Sequence, residues 1–223
     1  MSNIIHVTAR NRNVSAQFEE NMAAMQALYP DWTLCFHTDA DIDEFVQQHF
    51  PEVWAHVVPK LRKKIMLVDL VRYMWMYVEG GMYADLDIAF SQRIELGAKP
   101  TFIRRAWTHP QDATIQNSVH NCLFFSPPGH PLWLQMIMMV SLNTLHQAGW
   151  RVLIPGRKRS VFDLTGPNAL SRCVDRYLES QAADTIHILP ANTLYQAGKS
   201  ESPLSDASVE HQMAQSWSPD AGK

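Results

Sequence analysis

Asp85-Leu86-Asp87 follows a Gly80-Gly81 pair and the apolar run Met82-Tyr83-Ala84. Alone, an Asp-x-Asp triplet carries little information, and Asp39, Asp41 and Asp43 repeat the same spacing in a polar stretch. The surroundings raise its weight. Read as one strand from Met82 to Ala89, the segment sets Tyr83, Asp85 and Asp87 on one face and turns Leu86 and Ile88 toward a core. Carboxylates at the end of a buried strand are costly unless something offsets their charge, and one divalent cation offsets both. Hard oxygen ligands suit Mg²⁺ or Mn²⁺, ions that bridge a diphosphate and stabilise the charge on a departing nucleoside diphosphate. The plainer alternative is a pair of aspartates that cap a turn or face solvent.

A second charged pair precedes the first. Asp69 and Arg72 stand at i and i+3 on one side of the apolar stretch Leu67–Val78. They form either a structural salt bridge or a polar face turned into a cleft. In a cleft, Asp69 accepts sugar hydroxyls, and Arg72 orients Asp69 or grips sugar or phosphate oxygens with its forked guanidinium. Arg104, Arg105, Trp107 and His109 follow a predicted strand, where an acceptor sugar has a ring to stack on and donors to meet; an ordinary surface loop is the competing reading. Arg157-Lys158-Arg159 offers a phosphorylated or lipid-linked acceptor a cationic loop, against the reading of a solvated one. Met136, Met138 and Met139 read as core, and His6 and His187 as satisfied core histidines.

The elements that must position these residues alternate. A strand at Ile4–Thr8 precedes a helix at 14–28. A second strand at 32–36 leads into a helix capped by Asp41 or Asp43. A long helix from Leu61 to Val78 stops at Glu79-Gly80-Gly81. Further strands are expected at 101–105, 122–125 and 186–189, with helices at 131–145 and from Thr165-Gly166-Pro167 to 178 and an exposed loop over 151–163. This pattern predicts an α/β fold with a mostly parallel sheet flanked by helices. The 223 residues predict one domain, 1–198, with a polar tail at 199–223. A hydrophobic fraction of 46% excludes a largely disordered chain, and a net charge of −3 gives no general reason to bind nucleic acid. Cys35, Cys122 and Cys173 form no framework or thiolate metal motif, which favours a reducing compartment. With no signal-like N-terminus and no apolar run long enough to span a bilayer, the expectation is a soluble, cytoplasmic protein without a transmembrane segment.

The compound motif Asp69-x-x-Arg72, then Gly80-Gly81-x-Tyr83-x-Asp85-x-Asp87, resembles glycosyltransferase family 32. That group of DXD-containing sugar transferases includes yeast outer-chain mannosyltransferases and is related to the glucosylating domains of large clostridial toxins. Weaker matches cover most of the chain: Ile4-Ile5-His6, Asp31-Trp32, Thr38-Asp39, Asn121, Gly129-His130-Pro131, Thr165-Gly166-Pro167, His211 and Ser216-Trp217. The resemblance implies a GT-A type, Rossmann-like nucleotide-diphospho-sugar transferase fold and retention of the donor's anomeric configuration. It also implies roles. Asp69 and Arg72 hold the sugar as the catalytic pair, and Tyr83 lines the donor pocket. Asp85 meets the metal through water or touches the ribose, Asp87 ligates the metal, and His211 completes the metal site. His6 and Thr8 belong to the rim on which the nucleotide lies, Ser216 and Trp217 close over the diphosphate, and Asn121 joins Arg104 and Trp107 on the acceptor side. Val68 stands where the family has serine, and Val7-Thr8-Ala9 replaces its Gln-x-Trp, leaving base recognition open.

The resulting expectation is a retaining hexosyltransferase that uses Mn²⁺ or Mg²⁺. It would move a sugar from a nucleotide donor, a UDP-sugar in the first instance and a GDP-sugar as the alternative, to a carbohydrate or glycoconjugate acceptor. Two other classes compete. A sugar-nucleotide hydrolase or pyrophosphorylase would turn over without an acceptor, and a non-catalytic carbohydrate-binding module would bind without turnover.

Overall fold

A computed structural model describes residues 2–106, 115–150, 160–180, 185–196 and 207–213. The chain begins with β1 (Ile4–Thr8), α1 (Ala16–Leu28) and β2 (Thr33–His37), and continues through α2 (Asp39–His49), α3 (Pro51–His56) and the long α4 (Lys64–Val78). Next come β3 (Gly81–Ala84), β4 (Ile88–Phe90), β5 (Thr101–Arg104), β6 (Val119–Ser126) and α5 (Pro131–Trp150). The last elements are α6 (Val161–Leu164), α7 (Pro167–Ser180), β7 (His187–Leu189), β8 (Leu194–Gln196) and β9 (Val209–His211).

Six strands form the main sheet in the order β2-β1-β3-β6-β5-β7. β1 runs parallel to both β2 and β3, and β5 is parallel to β7; β6 is antiparallel to each of its neighbours. Strand alternation divides the core between the two faces of the sheet. Tyr83, Phe102 and Phe124 join side chains of α2, α4, α5 and α7 in one cluster. Ile5, Val7, Met82 and Phe125 join α1, β4 and β9 in the other. α4 is buried along most of its length, from Met66 through Met76, so its polar members Asp69 and Arg72 are inside the protein.

Two glycines let α4 end directly against the sheet. Gly80 (φ +66°) and Gly81 (φ +94°) both occupy the left-handed region. A Cβ on Gly80 would stand 2.5 Å from the Pro128 nitrogen, and one on Gly81 would stand 2.4 Å from the Ile4 carbonyl oxygen. Only glycine fits at either place, and the turn fixes where β3 begins.

The structure revises several local expectations. The single strand from Met82 to Ala89 is two strands: Asp85-Leu86-Asp87 forms a turn between them, closed by the Ile88 amide donating to the Asp85 carbonyl (3.1 Å). β4 then leaves the main sheet to join a small one, β4-β9-β8, whose middle strand comes from the tail expected beyond residue 198. Thr38, not Asp41 or Asp43, caps α2; Asp41 sits three residues in, and its carboxylate accepts from the Thr38 amide and hydroxyl (2.7 and 2.8 Å) in a capping box. α4 starts at Lys64 rather than Leu61, because Pro59 leads a separate 3-10 turn. The end of the expected loop over 151–163 is instead the start of the short helix α6, with Ser160 at its N-cap, and residues 151–159 lie outside the described residues. Met138 and His187, read as core, are exposed.

Candidate functional site

In the main sheet, chain order runs from β1 outward to β2 on one side and to β3 on the other. In open α/β sheets such a reversal leaves a crevice at the carboxyl ends of the diverging strands, where ligands bind. Thr8 ends β1 here, and Asp85 directly follows β3. The sequence therefore sets its D-x-D turn at the topological switch point.

Asp69 and Arg72 reach this point from α4. An Arg72 terminal nitrogen lies 3.3 Å from Asp69 Oδ1, and the other lies 3.5 Å from Asp85 Oδ1 and donates to the Asn121 carbonyl at 2.6 Å. The guanidinium carbon stands 4.5 Å from the centre of the Tyr83 ring, and the Tyr83 hydroxyl donates to Asp85 Oδ1 (2.5 Å). The Asp69–Arg72 pair is a buried salt bridge, and its guanidinium also faces Asp85. Both Asp69 oxygens are engaged, with Asn121 Nδ2 donating to Oδ1 (3.2 Å) and the Thr165 hydroxyl to Oδ2 (2.8 Å).

The charges here are shaped by burial. Desolvation pushes the Asp69 carboxyl up to about 6, although Arg72 and the Thr165 hydroxyl pull the other way. Burial likewise raises Asp85, even though its side chain keeps 30% of its surface open, and Arg72 only partly counters the shift. Burial opposes the charge on Arg72, but Tyr83, Asp85 and Asp69 outweigh it and hold the guanidinium cationic.

Asp87 and His211 complete the group. Their facing atoms, Oδ2 and Nε2, lie 3.3 Å apart, and Asp85, Asp87 and His211 each offer a ligand atom within 4.8 Å of the others. His211 comes from β9, brought opposite Ile88 by antiparallel pairing with β4. Two carboxylates and one imidazole form an oxygen-rich donor set that fits Mn²⁺ or Mg²⁺ and lacks the thiolates of a softer site. The other ring nitrogen of His211 lies 2.9 Å from Gln196 Nε2 on β8. Burial works against a charged His211 ring, but Cys122 and Asp87 overcome it and hold the ring's pKa well above the usual histidine range.

Residues 12–103 match the model of the glycosyltransferase sugar-binding region containing a DXD motif. The match covers less than half of the chain. It is 29% identical over 136 residues to a mannosyl phosphorylinositol ceramide synthase of Saccharomyces cerevisiae, covering 60% of this chain and 34% of that protein. It is 27% identical over 192 residues to inositol phosphoceramide mannosyltransferase 1 of Schizosaccharomyces pombe, covering 84% of this chain and 55% of that one. The chain thus spans about a third to about half of the length of these relatives. A solved structure, the PaToxG glycosyltransferase, superposes with a TM-score of 0.57 at 14% identity, over 82% of this chain and 72% of that one. The fold is a GT-A type, Rossmann-like glycosyltransferase fold with a mostly parallel sheet between helical layers.

Of the residues singled out in this sequence, Asp69, Arg72, Tyr83, Asp85, Asp87, Asn121 and His211 come together. His6 does not join them. Its ring is fully buried, stacked on His37 and Trp75, with one nitrogen against the Gly80 carbonyl (2.9 Å) and the other against His37 (3.1 Å). Both ring nitrogens are already engaged, so the core reading of His6 replaces the donor-binding one. Thr8 donates its hydroxyl to the His37 carbonyl (2.9 Å) at the crevice edge. Arg104 stands exposed at the end of β5. Trp107, His109, Arg157-Lys158-Arg159, Ser216 and Trp217 lie outside the described residues.

Three positioning residues escape sequence reading. Thr165 is visible there only as part of a turn and of a weak family match, with no role attached, yet its hydroxyl meets Asp69 across the fold. Asn21, a polar residue inside α1, donates to the Leu86 carbonyl in the D-x-D turn and to the Gln212 side chain (2.8 and 2.9 Å). Gln196 has no signal beyond its place in a polar stretch.

Proposed function

We propose that this chain is a metal-dependent, retaining glycosyltransferase domain, spanning 1–198 with the tail at 199–223 supplying His211. It moves a sugar from a nucleoside-diphosphate sugar to a hydroxyl acceptor. The observation that carries this reading is the junction of two groups at the switch point: the Asp85–Asp87–His211 donor set and, directly beneath it, the Arg72–Asp69 pair. The names of the relatives make mannose the leading candidate for the sugar and an inositol phosphoceramide or similar glycoconjugate the leading acceptor. UDP remains the base first favoured by the sequence, with GDP as the alternative.

Asp85, Asp87 and His211 would hold Mn²⁺ or Mg²⁺, whose positive charge stabilises the departing nucleoside diphosphate. Gln196 keeps the His211 ring turned toward the aspartates, its amide presenting oxygen or nitrogen as the tautomer requires. Arg72 stays cationic beside the leaving group and fixes Asp69, whose remaining acceptor capacity takes a sugar hydroxyl. Tyr83, buried beneath the turn, anchors Asp85. The acceptor hydroxyl attacks the anomeric carbon on the face the diphosphate leaves, and the leaving oxygen takes its proton. This front-face route needs no protein nucleophile, in keeping with an Asp69 carboxylate engaged on both oxygens.

The test is a panel of UDP- and GDP-sugars that includes both mannose donors, incubated with Mn²⁺ and simple mannoside or inositol-containing acceptors. Product anomers are read by NMR. An α-linked product from an α-donor supports the reading. An inverted product removes the retaining mechanism, a sugar trapped on a carboxylate removes front-face attack, and acceptor-independent turnover moves the assignment to a hydrolase.

A further inference from the structure

α4 leads into β3, whose carboxyl end carries the D-x-D turn, so α4 itself starts at the crevice end of the sheet. The Gly129 amide donates to the Tyr77 carbonyl (2.8 Å), which sets the start of α5 beside the end of α4, and the two helices pack together. α5 therefore runs back toward the crevice. Its buried side follows the spacing i, i+4, i+7 and i+11: Trp133, Ile137 and Val140 are in the core, and Thr144 continues them at 3% exposure. Trp133 stacks on Tyr73 of α4 (5.9 Å between ring centres). Equal steps from that contact, forward along α5 and back along α4, arrive at Thr144 and Arg62. Thr144 is thus level with the beginning of α4, and α5 also packs against the 3-10 turn Val58–Lys60 that precedes it.

The polar groups that meet here are not satisfied by the fold. Thr144 Oγ1 and, nearly one turn further, Gln147 Nε2 are buried without a hydrogen-bond partner. A threonine hydroxyl inside a helix can return to a carbonyl of the preceding turn, and this one does not. Opposite, α4 starts after Lys63 with no side chain capping its first amides and no acid in its first turn. Residues 57–68 contain Lys60, Arg62, Lys63 and Lys64, all exposed, and no acid. Cations at a helix N-terminus oppose the helix dipole, a conflict that a bound anion removes. The acids of neighbouring α2 are Asp39, Asp41, Asp43 and Glu44, of which Asp41 closes the capping box and Asp43 binds Lys64 (2.8 Å). Glu52 of α3 faces His56 (3.3 Å), and Asp163 of α6 binds Arg172 (3.0 Å).

We infer that the start of α4 and the end of α5 form a phosphate-binding subsite, and that the phosphate it takes is carried by the acceptor. Thr144 and Gln147 form its buried floor and donate to phosphate oxygens together with the first amides of α4, while Lys63 and Arg62 supply charge at its exposed rim. The assignment to the acceptor rests on the transferase reading of the crevice; the subsite itself does not. Lys63 precedes Asp69 by six residues, a rise of about 9 Å along α4. A phosphate held there is close enough to the sugar-holding pair to belong to the acceptor's own ring. The donor's diphosphate has its counter-charge in the cation held by Asp85, Asp87 and His211, which leaves the α4 cations to the acceptor.

The test is calorimetric titration of the full chain, without donor or metal, with inositol monophosphate, inositol and inorganic phosphate. Thr144→Val keeps the shape of the side chain and removes a hydroxyl that makes no bond within the fold, so its thermal midpoint should not fall. Expected are binding of inositol monophosphate but not of inositol, weaker binding of inorganic phosphate, and a loss of about tenfold or more in Lys63→Ala and in Thr144→Val, restored by Thr144→Ser. No binding of the monophosphate, equal binding of inositol, or affinity unchanged in both variants would overturn the subsite. Inorganic phosphate bound as tightly as the ester would overturn the acceptor assignment in favour of a free anion. In turnover with the preferred donor, kcat/KM should favour a phosphorylated acceptor over its phosphate-free counterpart, and Lys63→Ala should lower that ratio; an unchanged ratio also overturns the acceptor assignment. Absence of turnover with any donor would count against the transferase reading, and the titrations would still decide the subsite.

Discussion

Asn21 and Gln212 are 191 residues apart in the chain and joined by a hydrogen bond of 2.9 Å inside the protein. The same Asn21 amide donates to the Leu86 carbonyl, in the middle of the D-x-D turn, and the Gln212 backbone donates to the Asp87 carbonyl (2.9 Å). One side chain of α1 thus ties the turn carrying both aspartates to the strand carrying His211. Asn21→Ala should weaken Mn²⁺ binding by about tenfold or more, the usual cost of removing an outer support of a metal ligand. Isothermal titration at a temperature where the variant is fully folded checks this. Tyr29→Phe, which breaks buried bonds to Ile94 away from the turn, is the control expected to leave Mn²⁺ affinity intact.

Thr165 supports the other charged group. Its hydroxyl favours the ionised form of Asp69, whose carboxyl burial has already raised to about 6. Activity should therefore fall as pH drops through about 6 and Asp69 takes up a proton. Removing the hydroxyl raises the pKa further, so Thr165→Val should move the acid limb of kcat/KM upward by roughly one pH unit. Superimposable profiles for the two proteins would contradict this.

The buried histidine pair makes folding sensitive to acid. Burial is the main cause that lowers His6 to about 3 and His37 to about 4, each from an unfolded value near 6.5. Both lowered values mean that the unfolded chain binds protons the folded one refuses. Their contribution is intact above pH 6.5 and is lost as pH falls from there toward 4 and then 3, each tenfold difference in proton affinity being worth about 1.4 kcal/mol. Urea midpoints measured between pH 4 and 7 should fall steeply for the unaltered chain and less steeply for His37→Phe. Parallel curves would mean that the histidines do not govern the acid sensitivity.

Much of the fold is legible in the sequence because it depends on local pattern. The alternation of strands and helices, the Gly80-Gly81 stop and the i, i+3 placement of Asp69 and Arg72 each follow from neighbours in the chain, and the structure keeps them. The D-x-D segment reads as a continuous strand because Ile88-Ala89-Phe90 has strand character; it does, but its partner is β9, and no local signal foretells that pairing. Alternation gives the right burial of Leu86 and Ile88 for the wrong backbone. Met138 reads as core because α5 is apolar all round, so periodicity does not distinguish its packed side from its open one. Asn21, Thr165 and Gln196 escape for a common reason: each acts through tertiary bonds, and a single polar residue has no period.

Everything proposed for the site depends on Asp85, Asp87 and His211 holding a divalent cation where a nucleotide sugar binds. Mn²⁺-dependent release of nucleoside diphosphate from the preferred donor, compared between the unaltered chain and Asp87→Ala, tests this most directly. The expected result is release that chelation abolishes and Mn²⁺ restores, lowered at least about a hundredfold in Asp87→Ala with the fold intact. Release that proceeds without metal, or that survives the loss of Asp87, would contradict it.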